Sequence, residues 1–171
     1  MTNVVLIGFM AVGKTTLGRA LAQSLGRVFV DLDELIEKEA GHSIAWIFEN
    51  EGEDSFRAHE TRILEKVLAD SNQVISTGGG TPIRAGAMDK MLNSGTVFWL
   101  RATPETVSQR VGDGESRPLL AGLGPVDRQK AIGLLLAERE THYGKAHVQI
   151  DTDDRDPRWL VNAMLQHLPR E

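Results

Sequence analysis

The sequence predicts an α/β fold, with helices on both faces of a parallel sheet. Three observations carry this. Short β-branched, apolar runs alternate with helical periodicities along the whole chain. Two of the helices announce their own starts, with a capping residue before a proline at Thr103-Pro104 and Asp156-Pro157. A glycine-bearing turn joins the first run to the first helix. A length of 171 residues fits one domain, taken as residues 1–171. Hydrophobic residues at 41% and charged residues at 25% exclude a disordered chain, a collagen and a coiled coil.

The elements follow in order. Residues 4–7 read as the first strand. Leu17, Leu21 and Leu25 recur every four residues and give a helix, with Gly26 where a terminating glycine belongs. Residues 28–30 read as the second strand, and Leu35 and Ile36 begin a helix after Asp33. Trp46, Ile47 and Phe48 read as a helix packed over a ligand pocket, although core packing is the more common use of such a stripe. Phe56, Ile63, Leu64, Val67 and Leu68 mark a longer helix. Residues 74–76 and 97–100 are the third and fourth strands, with Trp99 in the core. Val107 and Val111 lie behind the Thr103 cap. Ile132, Leu135, Leu136 and Tyr143 lie along a further helix. Residues 148–150 form the fifth strand. Leu160, Met164 and Leu168 form the last helix, in which Trp159 is expected to pack. The stretch 112–124 has four glycines in 13 residues, a composition suited to a lid.

Composition narrows the function classes. Lys plus Arg is 19 and Asp plus Glu is 24, a formal charge of −5, which disfavours nucleic acid as a partner. The absence of cysteine excludes disulfides and thiolate chemistry. The first residues lack a basic segment, and no apolar run reaches ~18 residues, so a soluble cytoplasmic protein with no membrane partner is expected.

Gly8-Phe9-Met10-Ala11-Val12-Gly13-Lys14-Thr15 fits G-x-x-x-x-G-K-[ST] between a strand and a helix. Gly13 allows close approach to phosphate oxygens and the dihedrals of an anion nest. Backbone N–H groups of Ala11, Val12, Gly13, Lys14, Thr15 and Thr16 would face a β-phosphate, helped by the helix dipole. Lys14 would reach the β- and γ-phosphates, and the Thr15 hydroxyl is a hard oxygen suited to Mg²⁺. A nucleoside triphosphate ligand follows; its fate does not. A GTPase, an ATPase motor or a small-molecule kinase all remain, although no Asn is followed by Lys as a guanine-reading motif requires.

Asp31 and Asp33 end the second strand, where residues of a parallel sheet face the ligand crevice. Alternation is expected to put both on one face. A metal gives work to one carboxylate and a substrate hydroxyl to the other. Asp33 could equally cap the next helix.

At this point the chain resembles shikimate kinase. The matching pieces are the phosphate loop, Asp31-Leu32-Asp33, Gly52-Glu53-Asp54-Ser55-Phe56-Arg57 with Glu60, the triplet Gly78-Gly79-Gly80, Arg117-Pro118-Leu119-Leu120, and Glu138-Arg139 with Tyr143. They stand in the family's order and spacing over essentially the whole chain. The resemblance implies a three-layer α/β/α P-loop kinase with a five-stranded parallel sheet of order 2-3-1-4-5. It implies an acceptor-binding region at about 31–62 and a mobile lid at about 112–124. The implied reaction moves the γ-phosphoryl of MgATP, one Mg²⁺ per nucleotide, to the 3-hydroxyl of shikimate, on the way to chorismate and the aromatic amino acids. Asp33 would hold shikimate hydroxyls, Arg57 and Arg139 its carboxylate, and Gly78, Gly79 and Gly80 would contact it through backbone. Thr15 would ligate Mg²⁺ directly and Asp31 through water. Arg117 would close over the phosphates, Arg110 and Arg155 would sit at the adenine end, and Glu60 would orient Arg57. A monomer acting on small molecules is implied.

The residues support parts of this on their own. Arg139 lies four residues from Leu135 and from Tyr143, on an otherwise apolar face, where a cation needs an anionic partner. That partner could be a ligand or a structural carboxylate. Arg57 and Glu60 could simply pair on a helix surface. A planar guanidinium suits a carboxylate through two parallel hydrogen bonds. A carboxylate is a weak base for an alcohol, so Asp33 is expected to orient the acceptor more than to deprotonate it. Ala11 stands where many family members have glycine, at a variable position where tolerance is expected. Thr81-Pro82-Ile83 replaces a small-residue pair after the glycines. His42, His59, His142, His147 and His167 show no ligand spacing. Two other readings remain: a kinase resembling gluconate kinase, and a nucleotide-binding module without transfer chemistry.

Overall fold

The computed structural model describes residues 2–112, 120 and 122–169. Among them, five strands form one parallel sheet of order β2-β3-β1-β4-β5. These are β1 (Asn3–Ile7), β2 (Val28–Asp31), β3 (Gln73–Ser76), β4 (Gly95–Arg101) and β5 (Val148–Asp151). The helices between them are α1 (Lys14–Leu25), α2 (Leu32–Ala40), α3 (Ile44–Asn50), α4 (Glu53–Ala69), α5 (Ala87–Ser94), α6 (Pro104–Val111), α7 (Pro125–Tyr143) and α8 (Pro157–Gln166). The expected strand order and layering are thus present.

Side-chain alternation on the central strands builds two cores, one on each face. Val4 and Leu6 of β1, with Phe98 and Leu100 of β4, pack against α1, α6, α7 and α8. Val5 and Ile7, with Val97 and Trp99, pack against α2, α3, α4 and α5. Each fully buried aliphatic side chain contributes about 1.5–3 kcal/mol, so these strands anchor everything that projects from their ends. Tyr143 reaches the second core from the end of α7, its ring 5.7 Å from that of Trp99.

The predicted caps hold at Thr103, whose hydroxyl accepts from the Thr106 N–H, and at Asp156, which accepts from Arg158 and Trp159. One cap differs. Helix α2 begins at Leu32, and its cap is Asp31, which accepts from the Asp33 N–H at 3.1 Å. Asp33 is therefore not the cap. The chain leaves the sheet at Asp31, so Asp33 lies in the first helical turn and does not alternate with Asp31 along a strand. Trp159 also departs from expectation: it is 51% exposed, with the Arg155 guanidinium over its ring at 4.8 Å. A 3₁₀ turn (Thr81–Ile83) and α5 have no counterpart in the sequence reading. α5 is short, and its cap Gly86 has no side chain to signal a start. Arg128 of α7 donates to the carbonyls of Gly112 and Leu123, at the two ends of the glycine-rich stretch. No helix among the described residues is long and apolar enough to cross a membrane.

Candidate active site

A cleft of about 500 Å³ opens at the carboxyl ends of the strands. Its floor is the turn between β1 and α1. Gly8 has φ +142°, and a Cβ there would stand 2.3 Å from the Leu100 carbonyl, so the turn presses directly on β4. Gly13 caps α1 at φ 97°, with no side chain to occupy the helix's first N–H groups. An unoccupied helix N-terminus of this kind binds anions. Ala11 sits at φ 58°, in the left-handed region. A side chain costs about 1–2 kcal/mol there, the physical reason glycine suits this position.

The predicted nucleotide residues Ala11, Val12, Gly13, Lys14, Thr15, Thr16, Arg110 and Arg155 all line this cleft, as do Asp31, Asp33, Gly78 and Gly79. Lys14 Nζ donates to the carbonyls of Gly8 at 3.0 Å and Phe9 at 2.7 Å. Thr15 Oγ1 donates to Asp31 Oδ2 at 2.8 Å. Two hard oxygen donors thus meet beside the phosphate turn, a set that fits Mg²⁺, which takes one or two protein oxygens and completes its shell from phosphates and water. Arg110 donates to the Thr152 carbonyl at 2.9 Å and to the Ala11 carbonyl at 3.4 Å, bridging the wall of the cleft to its floor. Thr152 carries no signal in the sequence. Arg117 lies outside the described residues.

The three glycines follow β3, and none has positive φ. Their lack of side chains serves close approach instead. A Cβ at Gly78 would stand 3.1 Å from Asp33 Oδ1, at Gly79 3.3 Å from Arg139 Nη1, and at Gly80 3.2 Å from Arg57 Nη1. The triplet is the hub against which the predicted acceptor residues pack. Arg57, Arg139 and Glu60 do not line the main cleft; they adjoin it through these glycines.

The two arginines differ. Arg57 Nη1 donates to Glu60 Oε2 at 2.8 Å, while Nε and Nη2 both rest on Glu53 Oε1. The expected pairing with Glu60 is present, but Glu60 is only 3% exposed, so it is no surface pair. Arg139 is 8% exposed and pairs with no carboxylate among the described residues. Its guanidinium lies 5.0 Å from the centre of the Phe9 ring and 3.4 Å from the Gly79 carbonyl, and its Nε has no partner. The structural ion pair left open by the sequence is absent among those residues. Tyr143 donates to the same Gly79 carbonyl at 2.5 Å. Burial pushes its phenol above the usual tyrosine value, so it remains a neutral donor. The hydroxyl's role was not visible in the sequence.

A family model for shikimate kinase matches residues 10–169. The chain belongs to the shikimate kinase family. A shikimate kinase from Symbiobacterium thermophilum is 44% identical over 168 residues, 97% of this chain and 95% of that one. The solved shikimate kinase from Acinetobacter baumannii, in complex with shikimate, has a TM-score of 0.90 at 37% identity and covers 97% of this chain and 92% of its own. A gluconokinase from Sinorhizobium meliloti shares the fold alone, with a TM-score of 0.60 at 15% identity. The shikimate kinase family therefore accounts for the order in which the phosphate turn, the two aspartates, the glycines and the arginines appear.

Proposed function

We infer that this chain is an enzyme that phosphorylates shikimate with ATP, and that the transfer goes from the γ-phosphate of MgATP to the 3-hydroxyl. One observation supports the acceptor half most: buried Arg139 beside Gly79 has no carboxylate partner among the described residues. A cation in that setting is satisfied by an anionic ligand. Shikimate brings a carboxylate to it, and Arg57 beside Gly80 completes the clamp.

Phosphoryl transfer has a loose transition state, so the protein's work is positioning and charge stabilisation. Backbone N–H groups from Ala11 to Thr16 and the Lys14 ammonium hold the phosphates. Thr15 and Asp31 would hold Mg²⁺, which neutralises phosphate charge when bound. Arg110 and Arg155 contact the nucleotide end. Asp33, packed against Gly78, orients the acceptor hydroxyl and accepts its proton late. Gly78, Gly79 and Gly80 let the acceptor approach the backbone. Glu60 orients Arg57. Arg117 and most of the lid expected at about 112–124 lie outside the described residues. The acceptor-binding region spans about 31–62. The reading is of a monomer that acts in the cytoplasm.

Asp33→Asn tests the assignment. It keeps the side chain's shape and removes its charge. Turnover is expected to fall by at least about 10²-fold, while ATP binding, followed by calorimetry, stays near that of the unmodified chain. Near-normal turnover would remove Asp33 from the mechanism.

A further inference from the structure

Thr81 follows the three glycines and is fully buried. It opens the 3₁₀ turn, with its N–H donating to the Gly78 carbonyl and its carbonyl accepting from the Arg84 N–H, both at 3.2 Å. The backbone is thus held on both sides, which fixes the direction of the Cα–Cβ bond. The Thr81 hydroxyl donates to Glu60 Oε1 at 2.6 Å. The other oxygen of the same carboxylate accepts from Arg57 Nη1 at 2.8 Å.

A carboxylate with a donor on each oxygen cannot turn about its last bond without losing one of them. Glu60 is therefore the fixed anchor of Arg57. Its other anchor, Glu53, has a side chain 59% exposed and is shared with Arg84 at 3.6 Å, so it is held less firmly than buried Glu60. The guanidinium lies close against Gly80, where an added Cβ would stand 3.2 Å from Nη1. A small rotation of Glu60 passes directly to the donors of Arg57.

We propose that Thr81 is a positioning residue for the acceptor: through Glu60 it sets the orientation in which Arg57 meets the substrate carboxylate. The proposal rests on the assignment of Arg57 to the acceptor.

The test is steady-state ADP release with shikimate and ATP varied in turn, for the unmodified chain and for Thr81→Val and Thr81→Ser. Thr81→Val removes the hydroxyl at nearly constant shape. It is expected to raise the shikimate KM about tenfold, as fits one lost hydrogen bond to a charged group, with the ATP KM unchanged. Thr81→Ser is expected to restore the shikimate KM, which a merely structural role would not predict. If Thr81→Val does not fold, Thr81→Ala carries the same expectation without placing a methyl group against Glu60. A shikimate KM unchanged in the variant that folds, an equal rise in both KM values, or failure of serine to rescue would overturn the proposal. An unmodified chain indifferent to shikimate would instead overturn the acceptor reading, and this proposal with it.

Discussion

Arg139 shows how much one side chain can carry. Its charge is buried between the Phe9 ring and the Gly79 carbonyl, and its Nε has no partner. On the proposed reading, removing it takes away one charged contact to the acceptor and none to ATP. Arg139→Ala is expected to raise the shikimate KM about tenfold to a hundredfold, with little change for ATP; kinetics with each substrate varied in turn checks this. An equal rise in both would count against a carboxylate clamp. The sequence places Arg139 on an apolar helix face but leaves its partner open, because a carboxylate can arrive from any part of the chain. Asp31 and Asp33 were legible by spacing. Their division of labour came only with the family resemblance, because spacing does not give the residue at which the chain turns from strand to helix. Thr81 and Thr152 carry no motif, and Tyr143 entered only as a companion of Arg139; the hydroxyls of all three gain meaning only from what folds against them.

At the scale of elements, the centres of the strands and of every helix but α5 were legible because apolar periodicity records burial directly. Thr103 and Asp156 marked their helices through side chains that cap. α5 starts after a glycine, and α2 starts within the Asp-Leu-Asp run, so neither boundary was marked in the same way. Helix α1 offers a test of how tightly the layers fit. Gly18 lies inside it, where alanine would gain up to about 1 kcal/mol in helix propensity. A Cβ there, however, would stand 2.4 Å from Phe29 Cε2 and 3.2 Å from Leu6 Cδ1. Overpacking of this kind costs about 1–3 kcal/mol, so the close approach of α1 to the sheet outweighs the propensity gain. Gly18→Ala is expected to lower the thermal midpoint by roughly 2–4 °C per kcal/mol of net loss. A rise in Tm would show that Phe29 moves aside freely.

At the scale of the molecule, the parallel sheet gathers the candidate site's loops, among the described residues, at one end. The phosphate turn after β1, the aspartates after β2 and the glycines after β3 are neighbours because β1 and β2 both pair with β3. That order was not readable from periodicity, since strand pairing is a long-range choice; it came with the family resemblance. Once the order is given, the sequence explains why a triphosphate and a small carboxylate acid could be held side by side. The most direct test is ADP release from Mg²⁺ATP with shikimate, gluconate or no acceptor. Strong stimulation by shikimate alone is the expected result; a flat response to shikimate, with gluconate active or with ATP hydrolysed regardless of acceptor, would contradict the account.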